Sequence, residues 1–460
     1  MQRIYNIIAE LCSFIISSCT EDFFVKYSCI ARSERERIHL LIGQQLPSLV
    51  AGGRVQQLGR EDCTEAFCVQ LDRLIARLKE QADYFAVVTL VQALDESLEG
   101  ELRRTVAEYQ RDDFSVVLNG NRETTGVGLL PRCSCCWERK RRLSHYYNRM
   151  DNFLFNLLLM ENSILGELID KHFFLPADLF PGFAERKSLK IAATPLRLER
   201  EFDVVSFDED NVQYFGIDYT GGADQFAADN EQVWQKILTA AGQDSDIIVF
   251  PEMLGNPEMP DYISSRLRLL SDQEREKIPS LIILPSYWSK RRNTVAILDK
   301  HGNLLCRQCK QNPFRVEQDG FGYLEGILSS LVVNIFHFEG IGRIAILICK
   351  DFLTTKYMEQ LMRCFKLTLI IVPSFSTGSY DFRQSFDLCA HDDCNVVWIN
   401  TCAAMEKGKE ANFENIGYVR KRVSRTDDEA QMLCKMPICD GAMKGICRHD
   451  CMYYESIQGV

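Results

Sequence analysis

No stretch of this 460-residue chain reaches the roughly 18 to 20 consecutive apolar residues that a membrane span needs, so no membrane-bound role is expected. Positive charge is also in short supply. The 53 Lys and Arg are outnumbered by 64 Asp and Glu, and a net charge of -11 argues against the whole molecule being a nucleic-acid binder. No repeat of fixed period occurs, and no polymerase or nuclease motif. The cysteines, 19 in all, lack the even count and tight clustering of a disulfide framework. An odd number spread along a long chain suits a reducing, cytoplasmic location.

What is present divides in two, as expected for a chain too long for one ordinary core. Residues 1 to about 185 read as an all-α N-terminal domain. Ile4, Ile7, Ile8, Leu11 and Ile15 recur at helical spacing, which predicts an amphipathic core helix rather than a leader. Leu71, Leu74, Ile75 and Leu78 mark another helical face. "DNFLFNLLLMENSILGELIDKHFF" is apolar over most of a helix circumference and predicts a deeply buried helix. "SVVLNGNRETTGVGLLPRCSCCW" reads as a loop. The prolines and glycine of "LPADLFPGFAERKS" mark the boundary, so the domains are 1–185 and 186–460.

From Leu189 the texture changes. "LKIAATPL", "DIIVFPE", "SLIILPS", "IGRIAILIC", "LTLIIVPS" and "NVVWINT" are short apolar runs rich in β-branched residues. "NTVAILDKHGNLLCRQCK" reads as a hairpin turned at "DKHGN", and "AADNEQVWQKILTAAGQ" as an amphipathic helix closed by Gly242. Strands alternating with helices of about 15 residues predict an α/β layered domain.

Three chemically useful residues fall at strand ends: Glu252 after "IIVFP", Lys310 after the hairpin, and Cys349 after "IAILI". Each is ordinary by itself, since a cysteine closing a buried strand is usually packing. Together they make a complete set. A thiolate can attack an electrophilic carbon, an ammonium can stabilise the resulting oxyanion, and a carboxylate can carry the protons. The nearby lysine is expected to favour the thiolate.

In order and context these motifs resemble the nitrilase superfamily of carbon–nitrogen hydrolases, over residues about 189 to 420. The resemblance rests on "IIVFPE", "NTVAILDKHGNLLCRQCK" and "GRIAILICKD". It implies a nitrilase-like αββα sandwich with Glu252 as general base, Lys310 as oxyanion stabiliser and Cys349 as nucleophile, acting through a thioester. It implies cleavage of a non-peptide C–N bond in a small amide-type substrate, an amide or carbamoyl compound before a nitrile, with no cofactor or metal, and a homodimer or larger homo-oligomer. It also implies a second glutamate between the lysine and the cysteine. Glu317, which follows a proline, is taken for that role; Glu325, beside Gly326, is the alternative. Lys350 stands where the family commonly has an aromatic residue. Its side chain either faces the thiolate or an acidic substrate, or turns to solvent or to Asp351.

Other clusters have plainer readings. The basic and aromatic run within Cys133–Arg149 reads as a solvated helix face before a nucleic-acid contact. The C-terminal Cys434, Cys439, Cys447, Cys451 and His449 lack a paired CxxC, so reduced thiols are expected rather than zinc. The alternative to an enzyme is a sensor or scaffold whose helical region binds a partner, in bacterial defence for example.

Overall fold

A computed structural model describes residues 1–110, 117–137, 149–196, 202–219, 222–318, 320–391, 393–404, 413–422, 432–439 and 451–458. The basic run at 138–148 and the cysteine-rich stretch at 440–450 lie outside the described residues. No described helix is long and apolar enough to cross a membrane.

The first half begins with six helices, Gln2–Ser18, Glu21–Ser28, Arg32–Gln45, Glu65–Glu80, Tyr84–Ser97 and Glu99–Tyr109. Thr64 and Asp83 cap two of them, accepting from the Phe67 and Ala86 N–H groups. Helix Tyr84–Ser97 is buried on nearly every side and centres a core built with Ile4, Ile8, Leu11, Ile15, Leu71 and Leu78.

Residues 127–175 depart from the all-α expectation. The run read as one buried helix forms strand Leu157–Glu161, a four-residue helix Asn162–Leu165 and strand Ile169–Leu175. Strand Val127–Pro131, in the stretch read as a loop, pairs antiparallel with Leu157–Glu161. The reason is physical. Leu157 and Leu159 join the helical core, whereas Leu158 and Met160 face the core of the second half. A strand walled by apolar cores on both sides shows no alternation, so its sequence cannot be told from a buried helix by periodicity.

The second half contains two seven-stranded sheets. In the first, Ser188–Ala193, Ile247–Val249 and Leu281–Ile283 run parallel, flanked by Tyr453–Gln458 on one side and the hairpin Arg292–Asp299/Leu304–Cys309 on the other. In the second, Gly342–Ile346, Leu369–Pro373 and Asn395–Ile399 run parallel, followed by Asn415–Arg420 and Leu433–Pro437. Alternation sorts the layers. Ile191, Val249, Ile283 and Ile297 point toward the second sheet. Ala192, Ile248, Ile282 and Ala296 point outward, onto helices Ala223–Ala241 and Met259–Arg268. Helices Thr355–Phe365 and Tyr380–His391 cover the second sheet's far face through Leu361, Phe365, Phe382 and Phe386. The result is an αββα sandwich.

The boundary at 185 does not separate the halves. Strand Ile169–Leu175 is the edge strand of the second sheet, paired parallel with Val332–Phe338. Polar ties add to it. The fully buried Arg343 guanidinium donates to the Cys133 and Lys366 carbonyls. The Lys366 ammonium lies 2.9 Å from the Asp151 carboxylate, both buried. Removing one member of such a pair strands the other's charge away from water. Lys366→Met is expected to cost about 3 kcal/mol in urea denaturation; a loss below about 0.5 kcal/mol would mean the tie is not part of the packed interface.

Candidate active site

Both sheets deliver residues to one place, at the carboxyl ends of their parallel strands, where open α/β sheets place their ligands. Past Ile247–Val249 the chain turns through Phe250 and Pro251 to Glu252, whose N–H reaches the Ser374 carbonyl at 3.3 Å. Met253, at φ 71°, completes the turn and donates its N–H to Ser286 Oγ. Lys310 follows strand Leu304–Cys309, its N–H on the Asn293 carbonyl at 2.8 Å. Cys349 follows the second sheet's strand Gly342–Ile346, its N–H on the Pro373 carbonyl at 2.9 Å. Its backbone is at φ 49°, ψ -102°. A non-glycine residue there is strained by about 1–3 kcal/mol, which the surrounding structure must over-determine.

The side chains converge. Glu252 Oε1 accepts from Lys310 Nζ at 2.9 Å and Asn293 Nδ2 at 2.7 Å, and Oε2 accepts from the Phe375 N–H at 2.8 Å. The Cys349 thiol lies within electrostatic reach of the Glu252 carboxylate, the Lys310 ammonium and the Phe375 N–H. Lys310 Nζ lies 2.8 Å from Glu325 Oε2, which also accepts from the Phe314 N–H. Glu252, Lys310, Glu325 and Cys349 are each at most 6% exposed.

Electrostatics follow from that burial. Burial pushes the Glu252 carboxyl above its ordinary range, with Lys310 pulling down and Glu325 pushing up. Burial alone would lower the Lys310 ammonium, but Glu252 and Glu325 outweigh it and hold its pKa well above normal. The Cys349 thiol is raised, by burial first and by the Glu252 charge second, with Lys310 opposing. Lys310 thus favours the thiolate as expected, but burial and the Glu252 charge outweigh it and leave the thiol raised.

The second glutamate is also corrected. Glu317 sits on strand Arg315–Gln318, is 69% exposed, and pairs with Arg315 at 2.8 Å. The chain turns back in a hairpin, and strand Phe321–Glu325 delivers Glu325 to Lys310 instead. Linear distance from the lysine misled; the flanking Gly326 was the better signal. Two contributors went unread. Asn293 is fully buried and holds Glu252 through its amide, while its Oδ1 has no hydrogen-bond partner. Asp351 is bound to the segment after Lys310 rather than to Lys350. Lys350 itself is half-buried.

One wall is apolar. Met253, Trp288 and Ile327 pack with Ile217, Tyr219 and Phe375. Ile217 and Tyr219 come from a third, four-stranded sheet built from hairpins Phe202–Glu209/Val212–Tyr219 and Arg315–Gln318/Phe321–Glu325. The Tyr219 hydroxyl accepts the Trp288 N–H at 2.7 Å, and the Gly326 N–H reaches the Phe215 carbonyl at 2.8 Å. Among the described residues no group of three His, Cys, Asp or Glu is placed to hold a metal ion.

No protein-family model and no curated protein matches the chain. Among solved structures, it is similar to the NitFhit protein of C. elegans, at 14% identity over 59% of this chain and 61% of that one, TM-score 0.36. It is similar to an amidase from Nesterenkonia sp., at 14% identity over 58% and 89%, TM-score 0.33. It is also similar to Saccharomyces cerevisiae Nit3, of branch 10 of the nitrilase superfamily, at 10% identity over 59% and 90%, TM-score 0.36. The chain thus spans under two thirds of the NitFhit protein's length. Likeness this distant decides nothing about chemistry, which rests on the geometry above.

Glu317→Gln is expected to change stability by less than about 0.5 kcal/mol, as at other exposed sites. Glu325→Gln, which removes one of the two carboxylates beside a buried ammonium, is expected to cost about 2 kcal/mol or more. Urea denaturation of both variants checks the assignment, and equal costs would contradict it.

Proposed function

We propose that the chain is a thiol hydrolase of the nitrilase type, cleaving a non-peptide C–N bond in a small carboxamide or N-carbamoyl compound. The observation that carries this reading is the convergence of the Cys349 thiol, the Glu252 carboxylate and the Lys310 ammonium in one buried cluster.

In the proposed reaction Glu252 takes the Cys349 proton as the sulfur attacks the carbonyl carbon. The base sits in the same buried cluster as the thiol, which compensates for the raised thiol pKa. Of the three Lys310 N–H bonds, two point at Glu252 and Glu325, leaving the third for the oxyanion. The Lys350 N–H is the second proposed donor. Glu252 then gives its proton to the departing amine as the C–N bond breaks, leaving an acyl group on sulfur. Water adds to the thioester, Glu252 takes one of its protons, and collapse returns the thiol with release of the acid. Glu325 keeps Lys310 charged and fixed, and Asn293 fixes Glu252. The wall of Met253, Trp288 and Phe375 favours an apolar acyl group.

Ammonia release from short aliphatic amides and N-carbamoyl compounds tests this. Cys349→Ser is expected to lower kcat at least about 1000-fold, the loss typical when a nucleophile is removed, with an unchanged urea midpoint. Turnover near wild type in that variant would exclude Cys349 as the nucleophile.

A further inference from the structure

Asp351, two residues past Cys349, is one of the most heavily bonded carboxylates in the chain, and the reaction above does not use it. It is 1% exposed. Its oxygens accept the Gln311 N–H at 3.0 and 3.2 Å, the Asn312 N–H at 2.7 Å and Asn312 Nδ2 at 2.9 Å. Gln311 and Asn312 directly follow Lys310. The lysine's backbone is therefore held on one side by Asn293 in the first sheet and on the segment after it by Asp351, just past the second sheet's strand Gly342–Ile346. Asp351 is the second residue of the four-residue helix Lys350–Leu353, whose N-cap is the strained Cys349, and its own N–H bonds back to the Ile348 carbonyl at 3.0 Å.

We propose that Asp351 is a positioning residue that sets the distance between the Lys310 ammonium and the Cys349 sulfur, by clamping the segment after the lysine onto the turn that bears the nucleophile. The proposal rests on the reading of Cys349 and Lys310 given above. A carboxylate suits the task because it only accepts, and every group aimed at it donates. A protonated acid or an amide would turn a donor toward those N–H groups and loosen the clamp.

The charged and titratable groups around it bear on its state. Lys310 lies across the clamp, Tyr357 approaches from helix Thr355–Phe365, and Lys350 is adjacent in the chain. Burial dominates: it lifts the Asp351 carboxyl from 3.8 to about 6, against the pull of Asn312, Lys310 and Gln311. Two consequences run in opposite directions. The clamp needs the carboxylate, so it weakens as pH falls through about 6. The fold prefers the neutral acid, so this group's share of stability is fully present below 3.8 and lost as pH rises through about 6. An acid limb in reactivity arising from Asp351 is thus not acid unfolding.

The test follows iodoacetamide alkylation of Cys349 by peptide mass spectrometry from pH 4.5 to 8, in wild type, Glu252→Gln, Asp351→Asn and Asn312→Ala. Wild type is expected to label Cys349 preferentially with an acid limb near 6, and Glu252→Gln to lose that preference. Asp351→Asn is expected to label about 10- to 100-fold more slowly at pH 7.5, the scale of a displaced catalytic group. Asn312→Ala removes one donor from the half-buried segment, so the fold is retained and the acid limb moves up by about one unit. If Asp351→Asn fails to fold, the Asn312→Ala shift decides. Wild-type preference with an unmoved limb in Asn312→Ala overturns the clamp alone. Absence of preferential labelling in wild type overturns the nucleophile, and the clamp with it.

Discussion

An ammonium group without water around it persists only where negative charge is close on more than one side, and Lys310 meets that condition between Glu252 and Glu325. The constraint propagates outward. Two carboxylates must be carried into a dry site and held there by donors: Asn293 and the Phe375 N–H for one, the Phe314 N–H for the other. Those donors lie in the first sheet, just past the second and just before the third, so all three must assemble before the lysine can be buried. The same burial raises the Cys349 thiol, which is why the proposed reaction gives Glu252 the part of base.

The architecture serves that assembly. Parallel strands in each sheet end at the same rim, one sheet bringing Glu252 and the other Cys349, with Lys310 returned by the hairpin. The third sheet closes the apolar side and delivers Glu325. The helical first half is not an appendage. It shares the ladder Val127–Pro131/Leu157–Glu161 between two cores and supplies Ile169–Leu175 as an edge strand of the sheet that carries the cysteine.

Much of this was legible in the sequence where one physical signal acted alone. Apolar runs such as "IIVF" and "AILIC", short, rich in β-branched residues and bounded by turns, read as buried strands, and the helical faces at Ile4–Ile15 and Leu71–Leu78 show one clean period. Legibility failed where two requirements overlapped. Leu157 to Met160 face a different core on each side, which erases alternation and imitates a helix. Glu317 and Glu325 lie on paired strands of one hairpin, and which of them turns inward depends on a fold-back that linear spacing does not encode. Asn293 is a common residue that no local pattern marks, and Asp351, although it closes the "GRIAILICKD" motif, has a role that only its contacts reveal. The sign of the cysteine's pKa shift required weighing burial against charge, which only the packed site allows.

The central claim is that sulfur, base and ammonium act on one carbonyl carbon. The most direct measurement is intact-protein and peptide mass spectrometry on enzyme quenched with acid during turnover of a short aliphatic amide. The account requires the acyl mass on the peptide carrying Cys349, appearing and decaying with turnover. Turnover with no acylated cysteine, or with the acyl group on a different residue, would contradict it.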